Sequence, residues 1–398
     1  MKELGKKLSV AVVSSSRGGV FSYTQRLVSS LQTYGLRIHL LLDKGSKLFS
    51  DRWKIYYCWN SEACYPFQIF KALCACKPDI VHVQHEFFLY GGLLSALLFP
   101  ILLVLAKLSG GKVVVTLHGV IPMLEINKEF LALNDIRGPL WLLKIGLLFL
   151  TKVIVHLADV VIVHEGFFAE ALRNDYNCRS GKIHVIPHGV DDVKEKLSAD
   201  EAKRMLGLEG RKVILFFGYL AKYKGIETLI ECFKLLADKH PDWILIIGGG
   251  EHPRLRDDAS YRKYLSELRD SVLPIRRQVR FTGFIPDEDL AVYITAADVV
   301  VLPYNLAMSS SGPFAHAISY EKPVIASDLP PFREVLPLSA LFKKGDYRGL
   351  SEKIGGILGD ESFSREFSLY MRKVKEERSW RLVGLKTVEL YCEALRRG

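Results

Sequence analysis

The chain has 398 residues, 49% of them hydrophobic and 25% charged, which excludes a disordered or collagen-like protein and suits two domains of ordinary size. Its mean hydropathy of +0.14 is high for a globular chain but well short of a polytopic membrane protein. The net charge is +10, and residues 1–190 carry 21 Lys and Arg against 13 Asp and Glu, so most of the surplus sits in the first half. A basic half suits phosphate-bearing or anionic-lipid partners. No recognition motif accompanies the charge, so nucleic acid is not an expected partner. Seven cysteines, odd in number and without CxxC spacing at Cys74 and Cys76, read as reduced cytoplasmic thiols. Met1–Lys7 is polar and leads directly into a strand-like run, unlike a secretory leader.

The first half opens with the β-run Leu8–Ser14, a glycine turn at Arg17-Gly18-Gly19 and an amphipathic helix to about Tyr34. Strand-like runs follow at Arg37–Leu42, Ile80–Gln84, Lys112–Leu117, Val160–His164 and Ile183–Ile186. From Phe87 to Ala106 no residue is charged, which matches a membrane span in length. Tyr90, Gly91, Gly92, Ser95 and Pro100 interrupt that run, and strand-like segments flank it, so a strand–helix–strand unit with a short apolar helix Leu93–Ala106 is expected. A second apolar helix, Leu140–Leu150, carries Trp141 and Lys144 between Arg137 and Lys152, a pattern shared by helices on a bilayer surface and buried helices of α/β domains. The second half repeats the plan with Lys212–Phe217, a turn at Gly218–Gly225, the helix Ile226–Lys239, Trp243–Ile247, Arg280–Thr282, Val299–Leu302 and Pro323–Ala326. Alternating strands and helices predict two doubly wound α/β domains, residues 1–190 and 193–379, with 380–398 able to pack back on the first. Ligands then belong at the carboxyl ends of the strands, in a cleft between the domains.

The first glycine turn lacks GxGxxG spacing, which argues against a dinucleotide cofactor although Asp43 closes the second strand as a ribose-binding acid could. Gly18 and Gly19 at a helix start still let backbone amides approach an anion or sugar; a plain tight turn fits the same residues. In the second half, Lys222 and Lys224 lie on a loop between strand and helix, where they can reach a diphosphate or merely be solvated. Ser309-Ser310-Ser311-Gly312-Pro313-Phe314 marks another helix start with proline at an early position. Two such loops on one cleft describe a diphosphate site better than either alone. His118 ends a strand at a glycine turn, the edge of the expected cleft, where a histidine is either a hydrogen-bond partner or structural.

With these motifs in order, the chain resembles a family 4 glycosyltransferase of the GT-B fold over nearly its whole length. The resemblance rests on Arg17-Gly18-Gly19-Val20, Thr116-Leu117-His118-Gly119, Ala158-Asp159, Ile186-Pro187-His188-Gly189-Val190-Asp191, Phe217-Gly218 through Lys224-Gly225, Gly248-Gly249-Gly250, Phe281-Thr282-Gly283-Phe284-Ile285, Ala297-Asp298 and Pro323-Val324-Ile325-Ala326-Ser327. The run His82 to Phe87 with Tyr90-Gly91-Gly92 is similar to a mannosyltransferase-like branch. The resemblance implies a nucleoside-diphosphate sugar as donor, commonly GDP-mannose, and glycolipid or polysaccharide products. It implies that Gly18 and Gly19 lie near the donor diphosphate, that His118 faces the transferring sugar and that Lys224 binds the diphosphate. Lys222, Ser311, Gly312, Pro313, Phe314 and His316 complete the expected donor site, and Arg17, His85 and Glu86 the acceptor side. The chain departs from the family pattern at Tyr219, where an arginine is usual, and at Met308 and His316, which fill the slots of two glutamates.

The reaction implied is retaining transfer from the donor to an acceptor hydroxyl without a metal or cofactor, the lysines and helix starts stabilising the leaving diphosphate. Peripheral attachment to the cytoplasmic face of a membrane is expected through the first half. A non-catalytic membrane-surface scaffold with a degenerate donor site and a sugar-nucleotide epimerase of the same plan are the rival readings.

Overall fold

The computed structural model describes residues 8–16, 18–46, 48, 52–60, 63–133, 138–193, 197–252, 255–306 and 310–397. Arg17, Arg137, Met308, Ser309 and Met1–Lys7 lie outside the described residues. Among them, seven strands form a first sheet: β1 (Ser9–Val13), β2 (Arg37–Asp43), β3 (Lys54–Trp59), β4 (Ile80–His85), β5 (Lys112–Leu117), β6 (Val160–Val163) and β7 (Ile183–Val185). Six form a second: β8 (Lys212–Phe217), β9 (Trp243–Gly248), β10 (Val279–Gly283), β11 (Val299–Leu302), β12 (Val324–Ser327) and β13 (Leu341–Phe342). The orders are β3-β2-β1-β4-β5-β6-β7 and β10-β9-β8-β11-β12-β13, and neighbouring strands run parallel. β-branched runs such as Val113-Val114-Val115 and Val299-Val300-Val301 are buried on both faces, as strands covered by helices on either side require. β3 is one edge strand of the first sheet, at least partly exposed from Lys54 to Cys58 and buried at Trp59.

One face of the first sheet packs against helices Tyr65–Cys76, Leu93–Leu108 and Leu140–Leu157 through Ile69, Leu73, Phe99, Leu102, Leu150 and Ile154. The other face carries helices Gly18–Thr33 and Trp380–Arg396, which meet β1 through Leu27, Leu31, Val383, Val388 and Tyr391. Helix Leu93–Leu108 continues through Pro100, whose missing N–H costs one backbone bond that packing of Phe99, Leu102 and Leu103 outweighs. Helix Leu140–Leu157 runs past Leu150 because Thr151, Ile154 and Val155 keep its inner face buried. Its length and composition would suffice to cross a bilayer. Here it is the crossover between β5 and β6, which pair directly at Val114 and Val160. Only the inner face of each apolar helix is covered. Leu93, Leu94, Leu97, Ile101, Val104 and Leu108 face outward on one, and Trp141, Leu142, Ile145 and Phe149 on the other.

The chain passes between the sheets twice, side by side. The Val190 amide donates to the Arg378 carbonyl at 3.0 Å, and Val190 bridges Ser379 in parallel. The Trp380 ring lies so close over Gly189 that a Cβ there would sit 2.4–2.6 Å from ring atoms, so only glycine fits. Beyond this crossing, Trp380–Arg396 is fastened to the first sheet: Ser30 Oγ donates to the Trp380 carbonyl at 2.5 Å, and Tyr391 hydroxyl meets His82 Nδ1 at 2.6 Å.

Candidate active site

Strand order reverses between β1 and β4 in one sheet and between β8 and β11 in the other. At such switch points the following loops part and leave a crevice at the strands' carboxyl ends. Two adjoining cavities occupy the space between the sheets. One, of about 390 Å³, is lined by Gly18, Gly19, Arg26, His188, Asp191 and His316 among others. The second, of about 260 Å³, is lined by Gly218, Lys224, Gly249, Ile285 and Pro313. Tyr219, Phe284, Asp287, Gly312 and His316 border both.

The glycine turn after β1 is held from behind. Asp43 accepts from the Ser16 amide at 2.6 Å and the Ser16 hydroxyl at 2.9 Å, so its carboxylate pins the turn instead of awaiting a ribose. Gly18 takes φ of 70°, a conformation that favours glycine, and a Cβ on Gly18 or Gly19 would meet nothing within 4 Å. The turn therefore presents bare backbone to the cavity.

Across the cleft, Lys224 ends the short 3-10 turn Lys222–Lys224 and is only 7% exposed, so of the two readings of this loop the merely solvated lysine does not apply to it. Its ammonium donates to the Tyr304 hydroxyl at 2.6 Å and lies 4.0 Å from the centre of that ring. Burial holds its pKa below the ordinary lysine value. Gly225 follows in the left-handed region, φ 64°, and a Cβ there would collide with the Pro303 carbonyl at 1.9 Å, which brings the loops after β8 and β11 together. Lys222 does not line either cavity; its carbonyl accepts from Asn305 Nδ2.

Helix Gly312–Ser319 starts on the same cavity. Ser311 is its cap, accepting from the Phe314 amide at 3.3 Å and meeting Tyr304 hydroxyl at 3.0 Å. Pro313 has no amide and the Phe314 amide is committed, so Gly312 supplies the available N–H of the first three positions. The Phe314 ring is buried edge-on against Phe332. His316 lines both cavities, and burial lowers its pKa.

His118 lies behind the cleft wall, not among the residues lining either cavity. Its Nε2 meets Gln84 at 2.9 Å and its Nδ1 meets His164 Nε2 at 3.3 Å, while the Tyr23 ring sits edge-on 4.7 Å away. His164 Nδ1 donates to the Ile186 carbonyl at 3.0 Å and His118 Nε2 donates to Gln84 Oε1, which leaves the two facing ring nitrogens without a proton between them while both rings are neutral. Burial pushes the pKa of His164 down to about 3 and of His188 to about 4, and that of His118 well below the usual value. The group is neutral near pH 7. The carbonyl of His118, not its ring, reaches the other half, accepting from the Ser310 amide at 3.2 Å. His85 lies in the apolar layer with its ring 4.5 Å from Phe99, and Glu86 is exposed on the loop after β4.

Several cross-cleft partners escaped the sequence. Ser310 hydroxyl donates to the Glu165 carboxylate at 2.9–3.0 Å, and Glu165, buried at the end of β6, has its pKa pushed up to about 7 by desolvation. Glu334 accepts from the amides of Gly166 and Phe167 at 2.7 and 2.5 Å, capping a helix of the other half. Arg26 Nε grips Asp191 at 2.6 and 2.7 Å on the cavity wall. These pairs are separated by 145 to 168 residues, so no local pattern announces them. Among the described residues, no three His, Cys, Asp or Glu side chains are grouped to hold a metal ion.

Two parallel doubly wound sheets with their switch points on one cleft are the GT-B architecture. The sucrose-phosphate synthase structure from Thermosynechococcus elongatus shares it with a TM-score of 0.78 at 21% identity, covering 98% of this chain and 100% of that one. A family model described as Glycosyltransferase Family 4 matches residues 17–194, and one described as Glycosyl transferases group 1 matches residues 198–374. The chain belongs to the family 4 glycosyltransferases. It is 32% identical to mannosylfructose-phosphate synthase of Agrobacterium fabrum over 200 residues, 44% of this chain and 43% of that protein. It is 27% identical to phosphatidyl-myo-inositol mannosyltransferase of Mycolicibacterium smegmatis over 212 residues, 52% of this chain and 50% of that protein. The chain thus spans about half the length of these relatives.

Proposed function

We propose that the protein is a retaining glycosyltransferase that moves a sugar, mannose from GDP-mannose, from a nucleoside-diphosphate donor to a hydroxyl of a lipid-linked or polysaccharide acceptor. The observation that carries this reading is the enclosed Lys224 ammonium in one cavity with the helix start at Gly312 and Pro313. A buried cation beside a helix start is a place for a diphosphate. The mannose reading is supported by the names of both curated relatives given above. Residues 193–379 hold the donor, its base against Phe284 and Ile285, and residues 1–190 face the acceptor.

In the reaction the bond from the anomeric carbon to the diphosphate oxygen breaks while the acceptor oxygen bonds to the same face of that carbon. The acceptor proton passes to the departing oxygen. Lys224, the Gly312 amide and, at longer range, Lys222 stabilise the charge that grows there. Gly18 and Gly19 close over the donor from the other side. His118 stands at the sugar end, where it holds Ser310 through its carbonyl. The lysines do without a metal, so activity should survive EDTA; loss restored by Mg²⁺ would overturn that part.

The protein works at the cytoplasmic face of a membrane, with the acceptor presented there. Purified protein is tested with GDP-mannose and UDP-glucose, reading thermal shift and nucleotide release, then with a membrane lipid extract as acceptor source. A shift with release and transfer supports the reading. No shift with any donor replaces it with the scaffold.

A further inference from the structure

Away from the cleft, a cavity of about 520 Å³ opens where helix Leu140–Leu157 ends and the chain turns into β7. Phe149 and Val153 form its apolar wall, and Lys152, Arg179 and Lys182 its basic rim. The outward stripe Trp141, Leu142, Ile145 and Phe149 leads along the helix into it, with Phe149 70% exposed. The neighbouring stripe of Leu93–Leu108 lies alongside. Neither helix contains a single Asp or Glu. Among the described residues Lys152 and Arg179 make no ion pair. Lys182 donates to the carbonyls of His156 and Ala158 at 3.0 and 2.8 Å, so the helix's negative end is covered and does not oppose an anion.

Resting on the membrane-surface reading above, we propose that this cavity binds the phosphate headgroup of an anionic phospholipid while the two apolar stripes lie below the headgroup level. Charge decides the occupant: a face rich in leucine and aromatic residues, with Lys152, Arg179 and Lys182 on the cavity rim and the nearby Asp159 paired with Lys107 at 3.1 Å, matches an anionic bilayer. The cavity is an anchor and not the acceptor site. Helix Leu140–Leu157 starts near the cleft loops, where Leu140 and Leu143 pack in one cluster with Leu306 and Tyr223, and Lys152 lies twelve residues along it, about 18 Å away at 1.5 Å per residue.

The test is sedimentation of the full chain with vesicles of phosphatidylcholine alone or mixed with phosphatidylglycerol, at low and high salt. Lys152→Gln with Arg179→Gln is compared with Lys386→Gln and Arg396→Gln, two exposed cations on the opposite face of the sheet. Wild type is expected to sediment with the phosphatidylglycerol vesicles at low salt. The cavity pair should weaken this about 30-fold, some fivefold for each charge, and the control pair by much less. Equal weakening by both pairs overturns the headgroup site while leaving the membrane reading intact. Absence of wild-type binding overturns both, and so does a dimer in solution that Phe149→Asp dissociates. Thermal melting of each variant excludes misfolding, and a thermal shift with GDP-mannose on the same samples reports the donor site separately.

Discussion

The two halves share one architecture and differ in what their helices show to water. In the second half, helices such as Ala259–Ser271 and Glu361–Glu377 bury tyrosine, leucine and phenylalanine inward and present mostly Arg, Lys and Glu outward, with Leu369 and Tyr370 the exposed exceptions on the latter. In the first half, Leu93–Leu108 and Leu140–Leu157 bury one apolar face and expose another. The inward face suffices to fix a doubly wound sheet, so the outward face is free to differ: largely charged in one case, and in the other apolar, the feature on which the proposed membrane attachment rests.

Acid should separate the halves most. Burial holds His82, His85, His164 and His188 at about 3 to 4, all in the first half. A histidine depressed in the folded state leaves the unfolded chain to bind the proton first, so stability is lost as pH falls below 6.5. At about 1.4 kcal/mol per pH unit, one such histidine costs on the order of 3 kcal/mol by pH 4. Far-UV circular dichroism between pH 7 and 4, with tryptophan fluorescence of single-tryptophan variants, should show the first half melting first. Simultaneous loss of both would merge the halves into one unit.

Lys224→Ala should lower turnover by about 10²–10³, the scale for removing one preorganised charge from a leaving group. Because Lys224 is enclosed, Lys224→Met is the better variant for keeping the volume filled. Near-normal turnover with the methionine would take the ammonium out of the chemistry of the second half.

Glu165→Gln tests the join between halves. The folded-state pKa of about 7 lies above the ordinary 4.5, so the folded protein holds the proton longer and the wild type loses stability as pH rises from 4.5 to 7. Glutamine keeps an acceptor for Ser310 without charge. It should raise stability at pH 8 by roughly 3 kcal/mol, with the gain vanishing below pH 4.5. A gain independent of pH would refute the assignment.

The smallest effect on folding belongs to Trp141→Ser with Leu142→Ser. Both side chains are more than half exposed, so the melting temperature should change little, within about 0.5 kcal/mol. Sedimentation with anionic vesicles should fall nonetheless. A large drop in melting temperature would mean that the stripe is covered by protein.

The central strands were legible because hydrophobic runs buried on both faces leave a local mark, and the glycine turns because they sit beside them. β3 was not, since Lys54–Trp59 lies at an edge with little regular pattern of burial and no glycine signal before its neighbouring helix. β13 is two residues long. In the site, the positions of Gly18, Gly312 and His316 on the cleft followed from the motifs, whereas the enclosure of Lys224 depends on Tyr304, eighty residues later. The withdrawal of the His118 ring behind the wall depends on Gln84 and His164. Spacing can name a loop; it does not say which way a side chain is held.

The return of Trp380–Arg396 to the first sheet has a consequence for synthesis. During translation, β1 to β7 and their helices emerge long before the residues that cover the β1 side. Val10, Val12, Leu27 and Leu31 therefore remain without Val383, Val388 and Tyr391 as partners while the whole second half is made. The nascent first half carries a bare apolar face on this side in addition to the outward stripes on the other, and chaperone binding to ribosome-held chains should persist until the last helix leaves the exit tunnel. Ribosome-stalled chains of increasing length, probed by proteolysis, would show protection of the first sheet arriving in one late step.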